Sequence, residues 1–95
     1  MRRAAKVDAN QDELVSVIRA MGGTVQSLAA VGKGCPDLCV GWRGKNLLIE
    51  VKDGSRPPSE RVLTPDQRQW HSEWKGKVYL VTTLDDLLVI LKNVI

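Results

Sequence analysis

Apolar positions near the start of the chain recur at helical spacing. Leu14, Val17, Ile18 and Met21 fall on one face, and Gly22-Gly23 stops the run, so residues 8–21 are expected to form a helix. Extended backwards, the same stripe reaches Asn10 and Gln11 and leaves Glu13 off the face. A short strand over 24–28 comes next, then a loop over 29–36 that carries Gly32 and Gly34. Two β-rich runs, 37–42 and 46–52, flank Arg43-Gly44-Lys45 and read as a hairpin. Residues 53–63 are polar, contain Pro57-Pro58, and are expected to be a mobile loop. Thr64-Pro65-Asp66-Gln67 has the form of a helix start, with Thr as N-cap, Pro at the first helical position and Gln three residues after the cap. That helix should end near Lys75-Gly76, before a strand over 77–82 and a last helix over 84–92 capped by Thr83. The order α-β-β-β-α-β-α predicts an α/β fold, a mixed central sheet flanked by helices.

Composition narrows the picture modestly. At 95 residues the chain is expected to be one domain spanning 1–95, with residues 1–7 as a basic arm. A hydrophobic content of 43% and a charged content of 26% argue against disorder. The excess of Lys and Arg, 14 against 11 acidic residues, permits a polyanionic partner without requiring one. No apolar signal core follows the basic start and no run is long enough to span a bilayer, so a cytosolic protein with no membrane partner is expected. Cys35 and Cys39 then read as reduced thiols around a strand. With His71 as the sole other soft ligand, a structural zinc set is lacking.

The chemistry concentrates on the hairpin. Strand side chains alternate, so Leu48, Glu50 and Lys52 share one face while Leu47, Ile49 and Val51 take the other. If Arg43-Gly44 is a two-residue turn, counting outward sets Asp37 opposite Glu50, with Cβ atoms about 5 Å apart. A four-residue turn sets Asp37 opposite Lys52 instead, and a three-residue turn breaks the pattern unless a bulge restores it. Two carboxylates held so close repel, and a divalent cation relieves the repulsion. Mg²⁺ on such a pair keeps positions open for water and phosphate oxygens, and a lysine beside it can orient water and stabilise developing charge. The bare Asp…Glu-x-Lys pattern is also what a solvated ion pair would look like.

The flanking residues are more specific. Gly34-Cys35-Pro36-Asp37-Leu38 followed by Ile49-Glu50-Val51-Lys52 resembles the signature of PD-(D/E)XK nucleases, whose restriction-endonuclease-like core has the same element order. Leu63-Thr64-Pro65-Asp66-Gln67 with Trp70 resembles an element of the VRR-NUC branch, and Asp8-Ala9-Asn10-Gln11 resembles the opening of its small stand-alone, phage-type members. The likeness runs from about residue 8 to 91. It implies that Asp37 and Glu50 are metal ligands together with the Val51 main-chain carbonyl, that Lys52 is the catalytic lysine, and that Gln67 assists near the metal or scissile phosphate. Some relatives add an acid from the first helix. Here that face offers Asn10 and Gln11, and Gln11 is the position favoured. The implied cofactor is Mg²⁺, with Mn²⁺ also compatible.

The implied activity is structure-selective DNA cleavage by a homodimer on branched DNA such as Holliday junctions. A nickase or flap nuclease acting as a monomer is one alternative, and a non-catalytic nucleic-acid-binding module is another. Gln67 also has a purely structural reading as the third residue of a capping box. Trp70 and Trp74 read as core or subunit interface rather than base-stacking platforms, and His71 is not needed as a base once Lys52 is in place. Arg2, Arg3, Lys6, Lys33, Arg43, Lys45, Arg56 and Arg61 lie in the arm and loops, where phosphate contact and solvated charge explain them equally well.

Overall fold

Helix α1 (Gln11–Ala20) opens the fold, and the computed structural model describes residues 8–94. The basic arm of residues 1–7, with Arg2, Arg3 and Lys6, lies outside them. The helix begins three residues later than the start expected at residue 8, at the point where its apolar stripe reaches Gln11. Asn10 stands at the N-cap but makes no side-chain cap: Nδ2 donates to the carbonyls of Lys52 at 3.2 Å and Thr82 at 3.3 Å, and with the amide so oriented Oδ1 has no hydrogen-bond partner.

Strands β1 (Thr24–Ser27), β2 (Leu38–Trp42), β3 (Lys45–Val51) and β4 (Val78–Val81) form one sheet in the order β1-β2-β3-β4. The first three are antiparallel and β4 is parallel to β3, so the sheet is mixed. Trp42 pairs with Lys45, leaving a two-residue turn. Arg43 and Gly44 both take positive φ, 48° and 80°, which matches the twist of a tight hairpin and fixes its register.

Between β3 and β4 lie a short 3₁₀ turn, Pro58–Glu60, and α2 (Pro65–Glu73). The segment expected to be a mobile loop therefore holds local structure. Asp53 Oδ1 accepts from the Ser55 N–H and hydroxyl at its start, and the 3₁₀ turn follows. Helix α2 has the full capping box expected of Thr64 and Gln67 and ends at Glu73. Helix α3 (Leu84–Asn93) carries a second capping box, from Thr83 and Asp86. Among the described residues no helix is long and apolar enough to cross a membrane.

The core lies on one face of the sheet. Leu38, Val40, Trp42, Leu47, Ile49, Val51 and Val81 meet Leu14 and Ile18 of α1 and Leu87 and Leu91 of α3. The Trp42 indole N–H donates to the Leu91 carbonyl at 3.0 Å, so its polar edge is satisfied in the core. Helix α2 contributes no buried residue, and Trp74 stays 46% exposed. Of the two places expected for the tryptophans, core or subunit interface, the core on the far face of the sheet does not hold them. Trp70 and Trp74 instead stack on each other at 4.6 Å with planes 16° apart.

Candidate active site

The hairpin register brings the carboxylates together. Leu38 pairs with Ile49, so one step further along both strands sets Asp37 beside Glu50. Asp37 is held from both sides: its carbonyl accepts from the Leu28 N–H at 2.8 Å, and its Oδ2 accepts from the Val51 N–H at 2.7 Å. The contact to Asp37 thus comes from the Val51 amide, one atom group away from the carbonyl assigned as a metal ligand.

Glu50 belongs to the sheet face opposite the apolar core, yet it is only 1% exposed. Helix α2 covers it there. Gln67 Nε2 donates to Glu50 Oε2 at 3.2 Å, and Gln67 Oε1 accepts from Lys52 Nζ at 2.7 Å. The same Oε1 accepts from the Thr64 N–H at 2.9 Å. One glutamine amide therefore serves as helix cap, as the capping-box reading expects, and also bridges the acid and the lysine. Lys52 is fixed at its backbone too, where its N–H donates to the Val81 carbonyl at 2.9 Å.

Placement of α2 depends on Gly34. Its φ is +82°, and a Cβ there would sit 2.2 Å from the Asp66 carbonyl oxygen. Only a residue without a side chain lets the loop before Asp37 run against the first turn of α2. The glycine of the Gly34-Cys35-Pro36-Asp37 motif thus joins the strand that carries Asp37 to the helix that carries Gln67.

Burial dominates the electrostatics. Desolvation, then hydrogen bonding to Asp37 and its charge, push the Glu50 carboxyl from 4.5 up to about 9; Lys52 opposes the shift and Asp8 adds to it. Burial first, and then the Lys52 charge, hold the His71 imidazole below its ordinary 6.5. With Glu50 tending to neutral and His71 neutral, their 3.7 Å contact is not an ion pair. Cys35 senses the same site: burial, then Glu50 and Asp37, raise its thiol above 9.0. Cys35 and Cys39 are both free.

A cleft of about 680 Å³ opens over these groups, lined among others by Asp8, Asp37, Glu50, Lys52, Asp53, Arg56 and Gln67. Gln11 does not line it. Its side chain is buried, and its Oε1 has no hydrogen-bond partner. The acid that lines the cleft from the N-terminal side is Asp8, which also adds to the upward shift of Glu50. The signal was present in Asp8-Ala9-Asn10-Gln11, but a helix beginning at Gln11 puts Asp8 before the helical face on which an acid was sought.

The loop cations scatter. Arg56 lines the cleft, while Lys33 lies beside Asp66, Gln69, Trp70 and Glu73 in a smaller one. Arg61 is half-buried with an unpartnered Nε. Arg43 packs over the Trp42 ring at 5.0 Å, and Lys45 lines a separate cavity of about 620 Å³. Those two sit at the hairpin turn, about 17 Å along β3 from Glu50 at the usual rise per residue.

Against known proteins, no family model and no curated protein matches this sequence. A solved structure described as a "VRR_NUC domain" superposes with a TM-score of 0.65 at 27% identity, over 87% of this chain and 90% of that one. The chain carries the VRR-NUC nuclease fold. The match in fold suggests a nuclease.

The site suits a hard divalent cation. Asp37 and Glu50 supply a carboxylate pair, and Glu50 Oε1 is buried without a hydrogen-bond partner. Among the described residues no three His, Cys, Asp or Glu side chains converge as a closed cage. A carboxylate pair alone is what Mg²⁺ accepts, since it completes its octahedron with water and substrate phosphate.

Proposed function

We propose that this protein is a metal-dependent, structure-selective DNA endonuclease that hydrolyses phosphodiester bonds, with Asp37, Glu50, Lys52 and Gln67 as its catalytic set. The observation that carries the reading is the Gln67 bridge. A single amide ties Lys52 to Glu50 at the floor of an open cleft, with Asp37 beside them. An acid and a lysine buried on a sheet face are expensive to desolvate, and a purely structural domain has no use for them. Asp37, Glu50 and the Val51 carbonyl would hold Mg²⁺ or Mn²⁺. Bound there, the ion supplies positive charge for the phosphate and lowers the pKa of a water.

The protein's own groups supply orientation. Asp37 is kept in register by the Val51 N–H, and Lys52 by its backbone pairing with Val81. Gln67 aims the Lys52 ammonium at the cleft, where it is placed to orient the attacking water and to stabilise charge developing on the phosphate. Arg56 at the rim is positioned for a flanking phosphate.

Branched DNA is the substrate we favour, cut by a homodimer that presents two sites to two strands. Trp74 and Leu80, 46% and 44% exposed on the α2 side of the sheet, give a self-association surface its apolar content. The test is cleavage of end-labelled four-way junction, flap, linear duplex and single-stranded DNA in Mg²⁺, in Mn²⁺ and in EDTA. Wild type is run beside Lys52→Ala and Glu50→Ala. Metal-dependent cutting of branched substrates, lost in both variants, is the expected result. Binding in gel shifts with every substrate intact would replace the nuclease with a binding module.

A further inference from the structure

His71 follows Gln67 by one turn of α2, and its ring is 16% exposed. Its Nε2 is buried without a hydrogen-bond partner, and so is Glu50 Oε1, which faces it at 3.7 Å. That separation is too long for a hydrogen bond. It is close to the span of a cation: zinc bonded to an imidazole nitrogen and a carboxylate oxygen at about 2.0–2.2 Å sets the two donors roughly 3.4 Å apart at a tetrahedral angle. A closure of a few tenths of an ångström completes the fit. The Trp70 ring, its centroid 5.9 Å from the imidazole centroid and its plane at 71°, backs the imidazole from the same helix.

We propose that His71 Nε2 and Glu50 Oε1 form a second cation position, one that takes Zn²⁺ in preference to Mg²⁺ and shares Glu50 with the Asp37–Glu50 pair. The preference follows from the donors. Imidazole nitrogen suits zinc, whereas Mg²⁺ is held by oxygen ligands in a near-ideal octahedron and sheds water reluctantly. With two protein donors in place of the four of a structural zinc centre, the site is exchangeable rather than structural. Because Glu50 serves both positions, occupation of one withdraws a ligand from the other. On the proposed nuclease reading, Zn²⁺ is therefore an inhibitor that competes with Mg²⁺.

The chain contains one histidine, so its imidazole nitrogens give an unambiguous signal in long-range ¹H–¹⁵N spectra of the untagged protein. Adding ZnCl₂ without DNA should move the Nε2 resonance far more than Nδ1, while MgCl₂ leaves both near their starting positions. By calorimetry, His71→Gln should lower the ratio of Zn²⁺ to Mg²⁺ affinity at least tenfold, and Glu50→Gln should weaken both ions. Excess MgCl₂ should raise the apparent Zn²⁺ dissociation constant of the wild type. An imidazole spectrum indifferent to Zn²⁺, or Zn²⁺ affinity that survives Glu50→Gln, overturns the proposal, and the first readout does not depend on how a variant folds. If these shifts appear but no DNA is cut under any metal, the nuclease reading fails and the zinc position stands.

Discussion

The two faces of β3 are built from the same seven residues to opposite ends. Toward α1 and α3, Leu47, Ile49 and Val51 are buried among aliphatic side chains, and the strand alternation alone specifies them. Toward α2, Leu48 is half-buried, and Glu50 then disappears completely under a helix that has no buried residue of its own. The first face is held by area removed from water. The second is held by a few directed hydrogen bonds around a buried acid, with Gln67 at the centre. One face should therefore govern stability and the other activity, and substitutions along a single strand can separate them.

The largest effect expected is on the α2 side. Glu50→Gln keeps shape and hydrogen-bonding capacity but removes the charge a cation needs, so cleavage should fall by about 10²–10³-fold or more. Its melting temperature without metal should hold or rise, because no buried carboxylate is left to desolvate. Ile49→Ala, one residue away, should do the reverse. Deleting that side chain from the core costs about 2–5 kcal/mol, while the fraction that remains folded keeps its cleavage rate. Equal loss of activity in both, measured on folded protein, would erase the distinction between the faces.

Gly34→Ala tests how the α2 side is assembled. The new methyl would meet the Asp66 carbonyl at 2.2 Å, and the left-handed φ adds strain of about 1–3 kcal/mol. Helix α2 must move outward, which lengthens the contacts of Gln67 to Glu50 and Lys52. Cleavage should drop by more than the fraction unfolded accounts for. A variant that melts lower but cuts at the wild-type rate would mean that Gly34 serves only the loop.

How far the sequence reaches differs between the faces for the same reason. The period-2 pattern of β3 and the helical stripe of Leu14 and Ile18 mark the core directly. The sequence alone leaves the register open because a tight turn asks for positive φ at both central residues, and Arg43 is not a residue that advertises it. The helical stripe does not lead to Asp8, because the helix starts at Gln11 and Asp8 lies ahead of its face. Burial of Glu50 was not legible from β3 at all. It depends on a helix fifteen and more residues away, whose position is set by the backbone contact at Gly34. The motif containing Gln67 signalled the helix, but its double use as cap and bridge needed coordinates.

Protonation offers a smaller and reversible way to sharpen the contrast. Glu50 holds its proton up to about pH 9 in the folded chain, chiefly through burial, but only to about its ordinary 4.5 when unfolded. Its contribution to stability is thus complete below pH 4.5 and is lost as pH rises through 9. Lowered His71 acts in the opposite direction and below 6.5, and raised Cys35 acts above 9, so pH 7–9 isolates Glu50. In EDTA, unfolding free energy should fall across that window with a slope approaching about 1.4 kcal/mol per pH unit. Glu50→Gln should flatten it. Mg²⁺ should stabilise more as pH rises, since its binding displaces the proton. A flat wild-type profile in EDTA would show that Glu50 is already ionised without metal.

The smallest effect compares two caps of one kind. Thr64 and Thr83 each accept a hydrogen bond from the third residue of their helix, and each sits in a complete capping box. Replacing either with Ala should destabilise by about 1 kcal/mol, a drop of roughly 4–8 °C in melting temperature for a domain of this size. The consequences then part. Among the described residues the side chain of the α3 capping partner Asp86 bonds to Thr82 and Thr83, away from the cleft, so Thr83→Ala should leave the cleavage rate alone. In α2 the partner is Gln67, and loss of the Thr64 hydroxyl frees the turn that aims its amide at Lys52 and Glu50. Thr64→Ala should therefore slow cleavage several-fold at a temperature where both variants are fully folded. Identical rates in the two would mean that Gln67 is held by Glu50 and Lys52 alone and that its place in the cap adds nothing to the site.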